Sequence, residues 1–175
     1  MVMRRLFPIL PIVALLLAAC ASVDGYNLTP GQSAEEVEKT MGAPAEKRAG
    51  PGGETWYYYP RQPYARTVFV ARIAPDGRLI AVEQRLTSEN VAKVIPNTTR
   101  AEQVRDLFGP PYQVQRFEKM EREIWSWHMK LYGDPGVPAA LAIQMSMDGV
   151  VREVYMLDES RPGGGVIGGV GVVAR

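Results

Sequence analysis

The strongest constraint on the fold is an internal repeat, because one short pattern of residues occurs twice in the 175-residue chain in the same order. The segment that begins at Leu28 resembles the segment that begins at Ile95, with Glu35 and Glu102 separated by 67 positions. Three further blocks keep this order in both copies: Gly42 to Pro44 with Gly109 to Pro111, Trp56 with Trp125, and Asp76-Gly77 with Asp148-Gly149. Four matching blocks predict two copies of one supersecondary unit, with loops wherever the offset changes.

Each copy is predicted to begin with a short helix. In the first copy Ser33 is a suitable N-cap and Glu36 lies three residues further on, which is the capping-box pattern. Gly42 ends this helix, since a residue with positive φ is needed there, and Pro44 prevents the helix from continuing.

The second helix is predicted over residues 100–108, with Thr99 as its N-cap. Gly109 and Pro111 form its stop signal, in the same positions as the glycine and proline of the first copy. We expect the helix-ending glycines of both copies to resist substitution by valine, at a cost of about 1–2 kcal/mol.

Strands are predicted after each helix. Residues 54–59 and 123–129 are rich in aromatic side chains, and strand alternation puts Trp125 and Trp127 on one face with Ser126 on the other. Two Asp-Gly pairs predict hairpin turns at Gly77 and Gly149. The remaining predicted strands span residues 66–74, 78–86, 113–117, 140–147 and 150–157.

These patterns together predict an α+β fold. It consists of two tandem repeats, each a short helix followed by three or four antiparallel strands, with the helix layered on the sheet. The first repeat spans residues 28–87 and the second 95–158. The Gly- and Val-rich segment 159–175 is predicted to be a disordered tail.

The N-terminus indicates where the chain works. Arg4 and Arg5 precede a short apolar stretch that ends in Leu17-Ala18-Ala19-Cys20, which is the pattern of a bacterial lipobox. Residues 1–19 are therefore predicted to be a signal peptide, Cys20 the lipidated residue, and 20–27 a linker. An ordinary secretory signal and a transmembrane anchor are the alternatives, but the stretch is too short to span a bilayer. Ala21, in place of an acidic residue, favours the periplasmic face of the outer membrane.

Composition argues against several classes of function. Without Arg4 and Arg5 the chain has 18 basic and 19 acidic residues, and no basic block indicates a nucleic-acid partner. Cys20 is the only cysteine and His128 the only histidine, so a His/Cys metal site is not expected. Ser126 and His128 share a strand face, yet no nucleophile motif accompanies them, and we expect no catalytic residues. We also expect no cofactor, because the match of Gly163, Gly165 and Gly168 to a dinucleotide fingerprint lacks a following helix.

The first aromatic strand supplies the candidate binding residues. If Trp56 and Tyr58 lie in the core, alternation sends Tyr57 and Tyr59 to the outer face, beside Tyr64 in the next loop. Exposed tyrosines are good anchors for protein partners. Tyr57, Tyr59 and Tyr64 are therefore the predicted partner-binding residues. The predicted structural residues are Gly42, Pro44, Trp56, Gly77, Gly109, Pro111, Trp125 and Gly149.

The first copy resembles the SmpA/OmlA (BamE-like) family of outer-membrane lipoproteins. The match comprises Leu28, Gly31, Glu36-Val37, Gly42-x-Pro44, Trp56-x-Tyr58 and Asp76-Gly77, and in the second copy Thr98 replaces the glycine and Trp127 the tyrosine. The tandem also resembles the two-repeat architecture of the β-lactamase inhibitory protein. The family resemblance implies a non-enzymatic periplasmic protein-binding module in envelope or outer-membrane-protein assembly and integrity, with the β-barrel assembly machine as a candidate partner. The inhibitor resemblance implies the alternative, a protein inhibitor of an envelope or exported hydrolase.

Overall fold

A computed structural model describes residues 27–131, 136–160 and 166–169 of the chain. Within these residues, antiparallel strands predominate and the helices are short. None of the helices in these ranges is long and apolar enough to cross a membrane.

The first half consists of one helix and a four-stranded antiparallel sheet, which we call sheet 1. The helix begins with a capping box, in which the N–H of Glu36 donates to the Ser33 hydroxyl at 3.2 Å and the N–H of Ser33 donates to the Glu36 carboxylate at 2.7 Å. It ends at Gly42, where φ is 87°. Sheet 1 has the strand order β1-β2-β3-β4. The elements are α1 (Ala34–Met41), β1 (Glu46–Ala49), β2 (Thr55–Pro60), β3 (Val68–Ile73) and β4 (Leu79–Gln84).

A short helical connection leads into the second half. This connection, α2 (Ser88–Val91), is capped by Thr87, whose hydroxyl accepts a hydrogen bond from the backbone N–H of Asn90. The second half then has one eight-residue helix and a five-stranded antiparallel sheet, sheet 2, with the order β5-β6-β7-β8-β9. Its elements are α3 (Ala101–Phe108), β5 (Gln113–Phe117), β6 (Arg122–Leu131), β7 (Val137–Ser146), β8 (Val151–Asp158) and β9 (Val166–Gly169).

The two halves make the same backbone contacts where each helix meets the turn of its hairpin. The N–H of Ala34 donates to the carbonyl of Gly77 at 2.9 Å, and the N–H of Ala101 donates to the carbonyl of Gly149 at 2.8 Å. Both turn glycines have positive φ. The same correspondence appears in the isolated bridges, which pair Ser33 with Arg78 and Arg100 with Val150.

Two clusters of buried side chains form the core. The smaller cluster joins α1 to one face of sheet 1, and its members are Val37, Met41, Tyr57, Tyr59, Ala71, Ile73 and Leu79. The larger cluster takes residues from both halves, including Tyr58, Val68 and Val70 of sheet 1, Val104 and Phe108 of α3, and Trp127, Met129, Leu141 and Ile143 of sheet 2. Sheet 1 therefore contributes buried side chains from both of its faces.

The cap of α3 differs from the prediction. Arg100 is the N-cap, and its backbone N–H donates to the side-chain oxygen of Gln103 at 2.8 Å. The hydroxyl of Thr99 instead accepts a hydrogen bond from the N–H of Ile95 at 2.8 Å. Thr99 was thus the wrong choice, because its side chain is used to close the loop before the helix.

The predicted disordered tail also needs correction for four residues. Val166–Gly169 forms β9, which pairs with β8 and places Gly169 opposite Tyr155. The β-propensity of Val166 and Ile167 is compatible with a strand despite the surrounding glycines. Residues 161–165 and 170–175 lie outside the described ranges.

Candidate functional site

The residues singled out in the sequence are distributed over the whole chain. Cys20, the predicted lipidation site, lies outside the described residues. The predicted structural residues lie at helix ends, in turns and in the aromatic strands: Gly42 and Pro44 after α1, Gly77 and Gly149 in hairpin turns, Gly109 and Pro111 after α3, Trp56 in β2 and Trp125 in β6.

Two of the three predicted partner-binding tyrosines are not available for binding. Tyr57 is 9 % exposed and Tyr59 is 2 % exposed, and both belong to the cluster that includes Val37 and Met41 of α1. Burial raises the pKa of the Tyr59 hydroxyl to about 12. The assignment of Tyr57 and Tyr59 to an outer binding face was therefore wrong, since both side chains are buried in a cluster that includes residues of α1.

Tyr64 does lie at the surface. It is 94 % exposed, in the loop between β2 and β3. Neighbouring residues of this loop contact sheet 2: the side chain of Gln62 bonds both the N–H and the carbonyl of His128, each at 2.7 Å. Tyr64 is thus an isolated exposed aromatic residue beside a junction of the two halves.

Trp56 is partly buried and takes part in a polar cluster at the edge of the larger core. Its indole N–H donates to Glu54 at 2.8 Å, and the guanidinium of Arg85 lies 4.7 Å from its ring centroid. Arg72 donates to both carboxylate oxygens of Glu54 at 2.7 and 2.8 Å. These hydrogen bonds, from Arg72 first and Trp56 second, lower the pKa of Glu54 to about 2.

The lowered pKa of Glu54 predicts a pH-dependent contribution to stability. The ionised carboxylate stabilises the folded state above the pKa of about 4.3 expected for an unfolded-chain glutamate, and this contribution disappears as the pH falls towards the folded-state value. We expect Glu54→Gln to lower the free energy of unfolding at pH 7 and to lose this effect near pH 2. Urea unfolding of both proteins between pH 2 and 7 measures the difference. Glu35→Gln, at an exposed position of α1, is the control, and a Glu54→Gln deficit independent of pH would contradict the assignment.

Charged residues join the two halves, and sequence reasoning missed them. Arg48 of β1 donates to Asp106 at 2.8 Å and to Glu102 at 2.7 Å, both on α3. Arg105 of α3 returns a bond to Glu46 of β1 at 2.6 Å. No local pattern signals these pairs, because each partner is more than fifty residues away in the chain.

The largest group of exposed apolar side chains among the described residues lies on and beside β5. Among the described residues, seven large hydrophobic side chains are exposed, and four of them fall between residues 112 and 120. We call these four, Tyr112, Val114, Phe117 and Met120, the β5 patch; their exposed fractions range from 37 % to 57 %, and the strand register puts Val114 and Phe117 on opposite faces of this edge. Residues 116–120 also line a surface depression of about 490 Å³.

The strand β5 is an edge strand. It pairs with β6 on one side, and no described residue pairs with its other side. All five of its residues are exposed. The backbone donors and acceptors on its unpaired side therefore lie at the surface next to apolar side chains, which is an arrangement suited to an interaction site.

Next to the β5 patch is the outer face of sheet 2, the face that points away from α3. We define it by Ile124, Ser126, His128, Ala140, Ala142 and Tyr155, which the strand register places on one side of the sheet. None of these six side chains belongs to either buried cluster; Ala142 is 7 % exposed and the other five are partly exposed. Tyr112 joins the face to the β5 patch, since its ring packs edge-on against that of His128 at 4.7 Å between centroids.

The histidine on this face contacts a carboxylate rather than a nucleophile. His128 Nδ1 lies 2.9 Å from a carboxylate oxygen of Glu159, which also pairs with Arg66. Burial raises the pKa of Glu159, but hydrogen bonds from His128 and Arg66 outweigh that effect and hold it below its usual value. The hydroxyl of Ser126 instead lies 3.5 Å from the carbonyl of Gln113.

Two further results bear on the identity of the chain. Within the described residues, no group of three or more His, Cys, Asp or Glu side chains lies together in a way that could hold a metal ion. Comparison with protein-family patterns, with characterised proteins and with solved structures finds no match.

Proposed function

We propose that this chain is a non-enzymatic lipoprotein, anchored by Cys20 at the periplasmic face of the outer membrane. There it acts as a protein-binding module in envelope or outer-membrane-protein assembly and integrity. The observation that carries the proposal is the exposed apolar β5 patch beside an open sheet edge. Patches of this kind on a folded chain mark sites of protein contact. The lipobox sequence supports the location.

We further propose that the two halves are BamE-like repeats of the SmpA/OmlA type, each with a helix layered on its sheet. Support comes from the matching helix-to-turn hydrogen bonds, Ala34 to Gly77 and Ala101 to Gly149. It also comes from the positive φ of Gly42 and Gly109, which end the corresponding helices. The short family motifs of the first copy supply the link to the SmpA/OmlA family.

The binding surface in this proposal is made of the β5 patch and the outer face of sheet 2. The centre of the outer face is uncharged and carries small side chains at Ser126, Ala140 and Ala142. Aromatic residues border it at Tyr112 and Tyr155. Small residues permit close approach of a partner, and aromatic residues contribute most of the contact energy in many interfaces.

The lipid anchor is tested by Cys20→Ser. Several acyl chains hold a protein on a membrane durably, whereas a serine hydroxyl cannot form the thioether that carries them. We expect the variant to lose incorporation of labelled palmitate and to leave the outer-membrane fraction. Tyr64→Ala, a change at an exposed side chain, serves as the matched control and should fractionate like the wild type. A Cys20→Ser protein that still takes up palmitate would refute the anchor.

The partner class is tested in the same membranes by cross-linking the anchored wild type before detergent extraction. Subunits of an assembly machine among the cross-linked products would support the proposed role. If the main cross-linked product is a single exported hydrolase, and the purified chain inhibits that enzyme, the inhibitor function would replace the proposed assembly role. Ser126→Arg places a charge in the centre of the outer face. It should reduce the amount of chain cross-linked to the partner protein while leaving the lipid anchor intact.

A further inference from the structure

We infer that β5 is a self-association edge: two copies of this chain pair antiparallel through β5 about a twofold axis at Gln115. The two five-stranded sheets then form one ten-stranded sheet. This inference rests on the proposed function as a membrane-anchored binding module, and it names the occupant of the β5 edge.

The contrast between β1 and β5, the edge strands that follow α1 and α3, is the first argument. In β1, Glu46 and Arg48 form ion pairs with α3, and Lys47 pairs with Glu38 at 2.7 Å. Charged side chains on an edge strand, lysine above all, discourage pairing with another chain. In β5 there is neither lysine nor proline, and Val114 and Phe117 are exposed. One edge is thus protected and the corresponding edge is not.

The opposite edge of sheet 2 supports the same reading. There β9 adds to β8 and places Gly169 opposite Tyr155. Sheet 2 is therefore extended by an additional strand at one edge within the chain itself. At its β5 edge, no described segment adds a further strand.

The sequence of β5 suits pairing with itself. Full overlap of two antiparallel five-residue strands requires the middle residue, Gln115, to lie opposite its own copy. Val114 of one copy then lies opposite Arg116 of the other, whose aliphatic stem can cover it. Arg116 is the only charged residue of β5, and Glu123 of the same copy neutralises it at 2.8 Å.

The proposed anchor makes a short interface sufficient. Five residues of strand bury less surface than a stable dimer in solution usually needs. Confinement of both copies to one membrane raises their effective concentration, so that weak pairing becomes populated. The outer faces of the two sheets would then form one continuous surface for the envelope partner.

The register is tested by cysteine cross-linking of the full chain in its own membranes. Under mild oxidation we expect Gln115→Cys to form a disulfide-linked dimer, because directly opposite positions bring Cα atoms within about 6 Å. Val114→Cys alone should give at least about tenfold less dimer, since two copies of residue 114 are not opposite each other. Co-expressed Val114→Cys and Arg116→Cys chains should cross-link to each other.

The outcomes separate this inference from the proposed function. The wild-type chain contains only Cys20, so a disulfide-linked dimer of wild-type chains would mean that the thiol of Cys20 is free. That result would refute the lipid anchor, whatever happens at β5. Any of three results would overturn self-pairing: no dimer from Gln115→Cys, as much dimer from Val114→Cys alone, or a disulfide formed mainly with another protein. None of the three would contradict the lipid anchor. A second variant tests the strand contact in the same membranes: adding Phe117→Lys to Gln115→Cys should lower the yield of disulfide-linked dimer several-fold, and an unchanged yield would contradict pairing through β5.

Discussion

Replacing Tyr57 and Tyr59 together by alanine is expected to unfold the first half of the molecule. Both rings are buried against α1, with Val37 and Met41 as neighbours in the same cluster. Truncating one buried large aromatic side chain costs about 3–5 kcal/mol. A domain is stable by only about 5–15 kcal/mol, so two such truncations in one small cluster leave little or no stability.

The measurement is urea unfolding followed by circular dichroism and tryptophan fluorescence. Tyr64→Ala is the matched control, since this tyrosine is 94 % exposed and its loss should change the free energy of unfolding by less than about 0.5 kcal/mol. A double variant within about 1 kcal/mol of the wild type would mean that the two rings are not packed under α1.

The error about these tyrosines came from a one-residue ambiguity in aligning the two halves. Matching Trp56 with Trp125 is natural from sequence, because both are tryptophans in aromatic strands. The strand pairing instead puts Tyr57 and Tyr59 at the positions that Trp125 and Trp127 hold in sheet 2. The pairs that establish this are Glu46 with Tyr58 in sheet 1 and Gln113 with Ser126 in sheet 2. A shift of one residue moves every side chain of a strand to the other face.

Alternation alone could not have resolved the question. It assigns one face of a strand to the core and the other to solvent, but β2 is covered on both sides. Tyr58 belongs to the larger cluster with α3, and Tyr59 to the smaller cluster with α1. Such a strand is a run of buried residues rather than an alternating one, as in sheets that are covered on both faces.

Local signals in the sequence were sufficient for the helices and the hairpin turns. The capping box of Ser33 and Glu36, and the positive φ of Gly77 and Gly149, depend on residues within a few positions of each other.

The exposure of β5, in contrast, depends on which elements lie beside it. The segment around Val114 and Phe117 was predicted as a strand, but strand propensity is the same for a central strand and for an open edge.

Gly109→Ala is expected to destabilise the protein much more than Gly42→Ala, although each glycine ends a helix of eight residues. Both have positive φ, 72° at Gly109 and 87° at Gly42, so each alanine carries a backbone strain of about 1–2 kcal/mol. The surroundings differ. A Cβ at Gly42 would meet no atom within 4 Å, whereas a Cβ at Gly109 would lie 2.5 Å from the ring of Tyr58.

The neighbour of Gly109 has little freedom to move. Tyr58 is fully buried between the halves, and its hydroxyl donates to the carbonyl of Asp106 at 2.9 Å. Forcing extra atoms into a packed core costs about 1–3 kcal/mol beyond the strain, and it would push sheet 1 away from α3. The expected order of free energies of unfolding is wild type, then Gly42→Ala, then Gly109→Ala, measured by urea unfolding.

A double-mutant cycle identifies the cause. Tyr58→Ala removes the ring that obstructs the new methyl group, so Gly109→Ala should cost less in that background than in the wild type. The difference should approach the overpacking contribution of about 1–3 kcal/mol, leaving the backbone strain that Gly42→Ala measures separately. Equal costs for the two glycine substitutions, with no coupling to Tyr58, would mean that the halves do not meet at Gly109. The packing of sheet 1 on α3 would then need a different description.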